Sequence, residues 1–520
     1  MGAIERPISM KTARVLTGDG GVYELPPNLR EMMCLTEDGQ LHVSASHGTN
    51  HHVLGFMERL TLNKVRFRIN KIPLSEIKKL YESAGEVVAK STLVDDRTFR
   101  QSEVVNLIRE AVDEGCSDIH FVVRNETCHV RFRINGTMET VHEFTPQQGI
   151  DLCSTIYQSM CDEAEEFFKP NRPQDGRLKN TYVNQCGLFG ARVATRPTDD
   201  GLLMVLRLLT SNSVIHTLPQ LGYLDEQVAL IRRMKLRTTG SKGGVNVFGG
   251  PTGSGKSTSV HSALTELLQE FWHEDKNKGP TINLLTVEHP PEKQIEGAVQ
   301  TPLIIDDGDE GQAWGKSVTN LVRLDPDVIF VGEMRDRASA KAAISAAQTG
   351  HGVWTTLHAN DCVAILERLR DMGVEDSLLT DPATITGLIN QSLVRVLCPE
   401  CRRPFAEHKH LLPADLVERI EQTCDVSGIY LQGPGCNHPK CKRGVIGRSV
   451  VAEVLMPTQK FMRVFKEQGK AEARLYWVNH MNGITKNKHL ILRINQGLVD
   501  PRMAEADVCP LDEDLITLEI

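Results

Sequence analysis

No apolar run in this 520-residue chain approaches the roughly 20 residues that a membrane-spanning helix needs, so no span is expected. The N-terminus, Met1-Gly2-Ala3-Ile4-Glu5-Arg6, lacks the apolar core of a signal peptide, and Arg6 stands where N-myristoylation needs Ser or Thr. Basic charge is not in excess either. Lys+Arg number 59 against 67 Asp+Glu, a net charge of −8, which offers no general field for nucleic acid. The 13 cysteines are odd in number and scattered, which argues against a disulfide framework and makes the cytoplasm the default compartment. No fixed-period repeat and no low-complexity tract is visible. Length alone favours about three or four domains.

What is present centres on Gly250-Pro251-Thr252-Gly253-Ser254-Gly255-Lys256-Ser257, followed by Thr258. These residues satisfy the G-x-x-x-x-G-K-[ST] pattern of a phosphate-binding loop. Glycines let backbone N–H groups turn toward phosphate oxygens where a Cβ would obstruct them. Lys256 can then reach the β/γ-phosphates of ATP, and the Ser257 hydroxyl can join the Mg²⁺ shell. The context agrees: Val245–Phe248 reads as a buried strand, and Ser257–Phe271 as a helix with Val260, Ala263, Leu264, Leu267 and Leu268 on one face. Strand, glycine loop and helix N-terminus form an anion-binding arrangement.

Two apolar segments downstream end in carboxylates. Residues 282–287 read as a strand running into Glu288, and 328–331 as a strand running toward Glu333. Ligands of open α/β sheets bind beyond the carboxyl ends of strands, so Glu288 is expected to reach Mg²⁺ or its water. Glu333 is expected to orient or deprotonate an attacking water. A further strand, 352–357, ends at His358, a candidate γ-phosphate contact, and Arg337–Thr349 reads as an alanine-rich helix before it. His351, ahead of that strand, is expected to hold structure or an interface.

Around this α/β core, 1–95 reads as a small α+β domain, with a strand at 65–69 and a helix from Ser75, its expected N-cap, to Tyr81. A solvated linker is expected over 90–98. Residues 99–212 read as a second α+β unit. It has a helix over 103–114, strands at 118–123 and 129–134 followed by an Asn135-Gly136 hairpin turn, a helix over 146–160, and sheet near 187–195 and 202–209. Residues 213–397 alternate strand and helix, 398–455 hold paired cysteines, and 456–520 are helical with an acidic end.

Taken in order, four segments resemble the Walker A, Asp box, Walker B and His box of the type II secretion and type IV pilus ATPases. They are Gly249–Thr258, Thr286-Val287-Glu288-His289-Pro290-Pro291-Glu292, Arg323–Asp336 and Ala347–Asp361, and the resemblance runs from roughly 103 to 455. It implies a RecA-like P-loop ATPase domain preceded by a PAS-like α+β domain, ahead of which the residues themselves give the small N-terminal α+β domain. It also implies a cytoplasmic homohexamer, peripheral at the inner membrane through a platform protein, that hydrolyses ATP to power pilus assembly or secretion. The family's Asp box usually reads Glu-Asp-Pro; His289 replaces the Asp, which leaves the metal-side role to Glu288, helped by Glu292. Segments around Arg192 and Arg207 match positions where the family supplies arginines to nucleotide. Arg177 and Arg196 are secondary candidates. A guanidinium there would neutralise charge on the transferring phosphoryl group and make hydrolysis depend on domain closure.

Cys398-x-x-Cys401 and Cys436-x₄-Cys441 are separated by 34 residues, and four thiolates can close a tetrahedral Zn²⁺ site. His438 is an alternative ligand to one of them. The family's assembly and secretion members carry such a tetracysteine module, whereas its retraction motors lack it, so the resemblance favours the assembly side, type IVb or thin-pilus systems included. Two other functions stay open on the residues alone: a nucleic-acid translocase, disfavoured by the acidic balance, and a nucleotide-gated scaffold with little turnover, suggested by His289.

Overall fold

The computed structural model describes residues 14–18, 21–26, 29–30, 32–44, 51–83, 93–162, 164–165, 167–210, 216–239, 243–305 and 310–519. By internal contacts the chain divides into a unit of residues 1–106 with 154–160, and a larger unit of 107–153 with 161–520.

In the smaller unit, Met33–Leu35 pairs antiparallel with Gln40–Ser44, which pairs parallel with Arg68–Ile72. Helices His51–Leu62 and Leu74–Ser83 accompany this α+β sheet. Its core is Leu25, Met33, Leu41, Val53, Phe56 and Leu60. The buried Tyr81 hydroxyl bonds the Thr17 hydroxyl at 2.6 Å and donates to the Met33 carbonyl at 2.9 Å. Three local expectations shift. The alternation at Val65 and Phe67 reflects packing against this core, whereas ladder pairing starts only at Arg68, opposite Gln40. The helix after it begins at Leu74, so Ser75 lies inside it and is not its cap; the Ser75 side chain lies outside the described residues. Residues 93–98, expected as linker, open the long helix Leu93–Asp113, and 90–92 lie outside the described residues.

The larger unit holds two seven-stranded sheets. The first is antiparallel, in the order Thr137–Phe144, Cys128–Ile134, Cys116–Arg124, Gly201–Thr210, Leu188–Thr198, Gln174–Leu178, Cys161–Asp162. Its first hairpin turns at Asn135 and Gly136, both with positive φ (49° and 87°), the conformation for which Asn-Gly is suited. The helix expected over 146–160 is α-helical only as Pro146–Ser154 and widens to a π-helical turn over Thr155–Met160.

The second sheet runs Val299–Pro302, Leu284–Glu288, Val328–Val331, Gly352–Leu357, Gly244–Gly249, Ile385–Leu397, Val445–Leu455. All neighbours are parallel except the last pair. Its central strands are apolar at nearly every position because both faces are covered. Val245, Val247, Val287, Ile329, Val331 and Val353 enter one core; Phe248, Leu284, Val328, Phe330 and Trp354 enter the other. The phosphate-loop helix, Lys256–Glu270, fills the second core with Val260, Ala263, Leu264, Leu267 and Leu268.

The C-terminal residues belong to the same body. Val445–Leu455 is a strand of the sheet, and Phe461, Met462, Phe465, Ala473 and Trp477 from the following helices join the first core. The acidic end is not a free tail: Glu505 holds Arg419 through two bonds of 2.8 and 2.9 Å, and Asp507 holds Arg395 at 2.9 and 3.0 Å.

Candidate functional site

The parallel strand Gly244–Gly249 delivers the chain to the loop at 250–255, and Lys256 opens the helix. Three loop glycines have positive φ: Gly250 (149°), Gly253 (77°) and Gly255 (80°). A Cβ on Gly250 would sit 2.4 Å from the Gln391 carbonyl oxygen and 2.7 Å from Ser254 Oγ. This is a backbone cradle of the kind a phosphate fits, closed against the neighbouring strand by Gln391 Nε2, which donates to the Ser254 carbonyl at 2.7 Å. Lys256 Nζ donates to the Gly250 and Pro251 carbonyls at 2.8 and 2.9 Å. Burial lowers its pKa, and the charges of Glu333 and Glu292 act in the opposite direction.

The loop opens on a cavity of about 530 Å³. Thr252, Gly253, Lys256 and Ser257 line it with Glu288, His289, Glu292, Glu333, His358, Arg192 and Arg207. Candidates chosen from widely separated segments therefore share one cavity. Sheet order explains this: the strands ending at Glu288, near Glu333 and at His358 lie side by side next to the loop's strand and terminate at the same edge.

Each group has partners that limit what it can do. Glu333 Oε1 lies 3.2 Å from His358 Nε2, and its Oε2 accepts from Arg335 Nε at 2.8 Å. His358 Nδ1 lies 3.1 Å from the Gly250 carbonyl oxygen, which joins the Walker B carboxylate to the loop through one imidazole. Glu288 is 4% exposed, and its carboxylate is held three ways. Thr286 Oγ1 and Gln300 Nε2 donate to Oε1 at 2.7 and 2.9 Å, and His261 Nε2 lies 3.3 Å from Oε2. Burial pushes its pKa up, but the bond and charge of His261 and the bonds from Gln300 and Thr286 outweigh this, and the carboxyl sits below its usual range. Of a carboxylate's roughly four acceptor sites, three are thus occupied.

The arginines come from the antiparallel sheet, where Arg192 and Arg207 face each other across paired strands. Arg192 donates to the His289 carbonyl; burial lowers its pKa, Glu292 raises it, and Arg207, Arg335 and Arg177 lower it further. Arg207 Nε donates to Asp118 Oδ1 at 2.9 Å and remains half exposed. At the position where His289 replaces the family's Asp, it is thus the backbone carbonyl that engages Arg192. Of the secondary candidates, neither Arg177 nor Arg196 lines the cavity. His351 stays at the end of the helix Arg337–Gln348, its Nδ1 3.0 Å from the Ala346 carbonyl oxygen.

Four groups escaped the sequence reading. His261, Gln300, Arg335 and Arg368 either line the cavity or hold residues that do. His261 had a usable signal, since it follows Ser257 by four residues on one helix and so shares its face.

The paired cysteines also converge. Leu397 pairs with Val445 in the antiparallel register, which brings Cys398 and Cys441 to one end of two strands despite the intervening chain. The four Sγ atoms of Cys398, Cys401, Cys436 and Cys441 lie within 4.8 Å of one another. A Cβ on Gly433 would overlap the Cys401 carbonyl, so glycine is required for the two knuckles to meet. An all-thiolate set at this spacing suits a tetrahedral zinc. His438 lies outside the cluster, with Nδ1 accepting from the Lys440 amide at 3.2 Å. The other nine cysteines form no disulfide among the described residues.

The loop, its helix and the parallel strand order are those of a phosphate-loop nucleoside triphosphatase with a RecA-like core. The chain belongs to the family described as Type II/IV secretion system protein, whose model matches residues 93–500. It is 32% identical over 372 residues to the type II secretion system ATPase E of Vibrio cholerae, covering 71% of this chain and 67% of that protein. It is 31% identical over 459 residues to the type IV pilus assembly ATPase PilB of Pseudomonas aeruginosa, covering 83% and 75%. Among solved structures, the ADP-bound pilus retraction motor PilT shares the fold with a TM-score of 0.50 at 22% identity, over 78% of this chain and 96% of that one. The ATPase DotB of Yersinia pseudotuberculosis does so with 0.51 at 18%, over 78% and 92%. No helix among the described residues is long and apolar enough to cross a membrane.

Proposed function

We propose that this chain is an ATP-hydrolysing motor of type IV pilus assembly or closely related type II secretion, working as a homohexamer at the cytoplasmic face of an inner-membrane platform protein. The observation that supports this reading most is the coincidence of the family match across 93–500 with a cavity that gathers the phosphate loop, Glu288, Glu333 and His358. Gly250 to Thr258 hold the phosphates of ATP, with Lys256 on the outer phosphates and Ser257 toward Mg²⁺. The metal neutralises developing charge and polarises the phosphoryl group when bound. Glu333 orients the attacking water, and His358 and Arg335 fix its carboxylate. Glu288 supports the metal side from its buried seat. Arg192 and Arg207 are set to neutralise the transferring phosphoryl group when the antiparallel sheet closes on the loop. Cys398, Cys401, Cys436 and Cys441 hold a structural Zn²⁺, which gives the module between the last two strands a fixed shape. Neither nucleic-acid translocation nor a nucleotide-gated scaffold with little turnover gains an observation of its own.

The test is ATP turnover by the purified full chain beside Lys256→Ala, which loses nucleotide, and Glu333→Gln, which keeps nucleotide and loses turnover. Undiminished hydrolysis by Glu333→Gln removes the assignment of Glu333.

A further inference from the structure

His261 belongs to none of the four motifs, yet its contact ties the phosphate-loop helix to Glu288 of the second. It lies on the phosphate-loop helix, 3% exposed, with its ring edge-on to Phe330 at 5.7 Å between centroids. Its Nε2 lies 3.3 Å from Glu288 Oε2, and its Nδ1 is buried without a hydrogen-bond partner. Nε2 is therefore the ring nitrogen placed to donate to the Glu288 carboxylate.

The other oxygen of Glu288 continues the connection. Gln300 Nε2 donates to Oε1 at 2.9 Å and to the Lys293 carbonyl at 2.8 Å, while Gln300 Oε1 accepts from the Ile295 amide at 2.7 Å. The segment so pinned contains Glu292, which lines the cavity, and begins at His289, whose carbonyl receives Arg192. One buried carboxylate therefore joins the helix that bears the phosphate loop to the segment that engages the arginine of the other sheet.

We propose that His261 is a positioning residue for the nucleotide site, holding Glu288 so that the phosphate-loop helix and the 289–298 segment keep one register. The inference rests on the ATPase reading above. Losing the donor leaves Glu288 short of one charge-assisted bond inside the protein, where such bonds are strong and a bare carboxylate oxygen is costly. The loss affects geometry rather than phosphate contacts, so it falls on kcat and not on affinity.

His261→Phe keeps the ring against Phe330 and removes the donor; His261→Gln keeps a donor near the position of Nε2. In the full chain, His261→Phe is expected to lower kcat about ten-fold while leaving the Kd for a fluorescent ADP within about three-fold. His261→Gln is expected to recover kcat to within about three-fold of wild type. Hydrogen exchange over 289–302 should rise in the Phe variant and not in the Gln variant. A His261→Phe kcat within about three-fold of wild type overturns the proposal, as do unchanged exchange over 289–302 or equal loss in both variants. A purely structural histidine would lower the melting temperature and leave kcat alone. Should His261→Phe fail to fold, Gln300→Met breaks the same connection from its partly exposed end and is judged by the same criteria. Absence of turnover in the wild-type chain would count against the ATPase reading, and the exchange comparison would still decide the role of His261.

Discussion

Replacing Gly250 and Gly253 in turn with alanine separates the two reasons a phosphate loop needs glycine. At Gly253, φ is 77° and a Cβ would meet nothing within 4 Å, so only backbone strain opposes the substitution. That strain costs about 1 kcal/mol, which is about a five-fold loss of affinity. At Gly250 the φ of 149° is farther from what an L-residue adopts, and the Cβ would meet the Gln391 carbonyl oxygen at 2.4 Å and Ser254 Oγ at 2.7 Å. The hydroxyl can rotate away; the carbonyl belongs to the neighbouring strand and cannot. Strain of about 1–3 kcal/mol adds to an overpacking cost of about 1–3 kcal/mol. Even a sum near 3 kcal/mol weakens binding by more than about 100-fold. Titration of a fluorescent ADP into each purified variant gives the two Kd values directly. Binding by Gly250→Ala within about three-fold of wild type, or tighter than by Gly253→Ala, would refute the steric reasoning.

Four further outcomes are expected. Full-length protein should carry about one zinc per chain by metal analysis; Cys401→Ser should lower that occupancy and make the remaining metal easier for a chelator to remove. Glu453 is fully buried and accepts from Arg474 Nη2 at 2.7 Å, Nη1 at 3.1 Å and the Cys362 amide at 2.9 Å, so Glu453→Ala removes the main partner of the mostly buried Arg474 and leaves it Asp361 at 3.7 Å, at a cost of about 3 kcal/mol, read as a fall in melting temperature. Burial pushes the Glu453 pKa up, but Arg474 and Lys486 more than reverse this; a carboxyl so depressed stabilises the fold above the unfolded value near 4.5 and loses that contribution as pH falls through the folded value, so wild-type melting should be flat above pH 4.5 and drop below it, and the drop should be smaller in Glu453→Ala. Arg207→Ala should lower kcat by at least ten-fold with little change in nucleotide affinity, measured by steady-state turnover beside equilibrium binding.

The core of the larger unit was legible because its strands are short apolar runs ending in polar residues. Val245–Phe248, 328–331 and 352–357 fall within a residue or so of the strands in the structure, since burial on both faces leaves no other reading of them. The glycine loop was legible because its chemistry constrains residue type at each position. The cysteine pairs were legible from spacing, although what joins them, the register between Leu397 and Val445, depends on strand pairing that spacing does not encode. The smaller unit read poorly. Its strand Arg68–Ile72 is almost wholly exposed and carries no alternation, and the helix from Leu93 begins in a stretch without apolar periodicity. Within the site, strand ends revealed Glu288, Glu333 and His358 but not what holds them. Gln300 and His261 act on Glu288 from another strand and from the loop's own helix, and such contacts appear only once the sheet is assembled. The acidic end looked like a tail because its partners, Arg419 and Arg395, lie 86 and 112 residues earlier.

The central claim is that the loop at 250–257 hydrolyses ATP with Glu333 directing the water. Single-turnover hydrolysis of radiolabelled ATP by wild type and Glu333→Gln, each first shown to bind ATP, tests it most directly. Wild type is predicted to release phosphate, and the variant to retain intact ATP with a rate lower by at least about 100-fold. Phosphate release by Glu333→Gln at the wild-type rate would contradict the account.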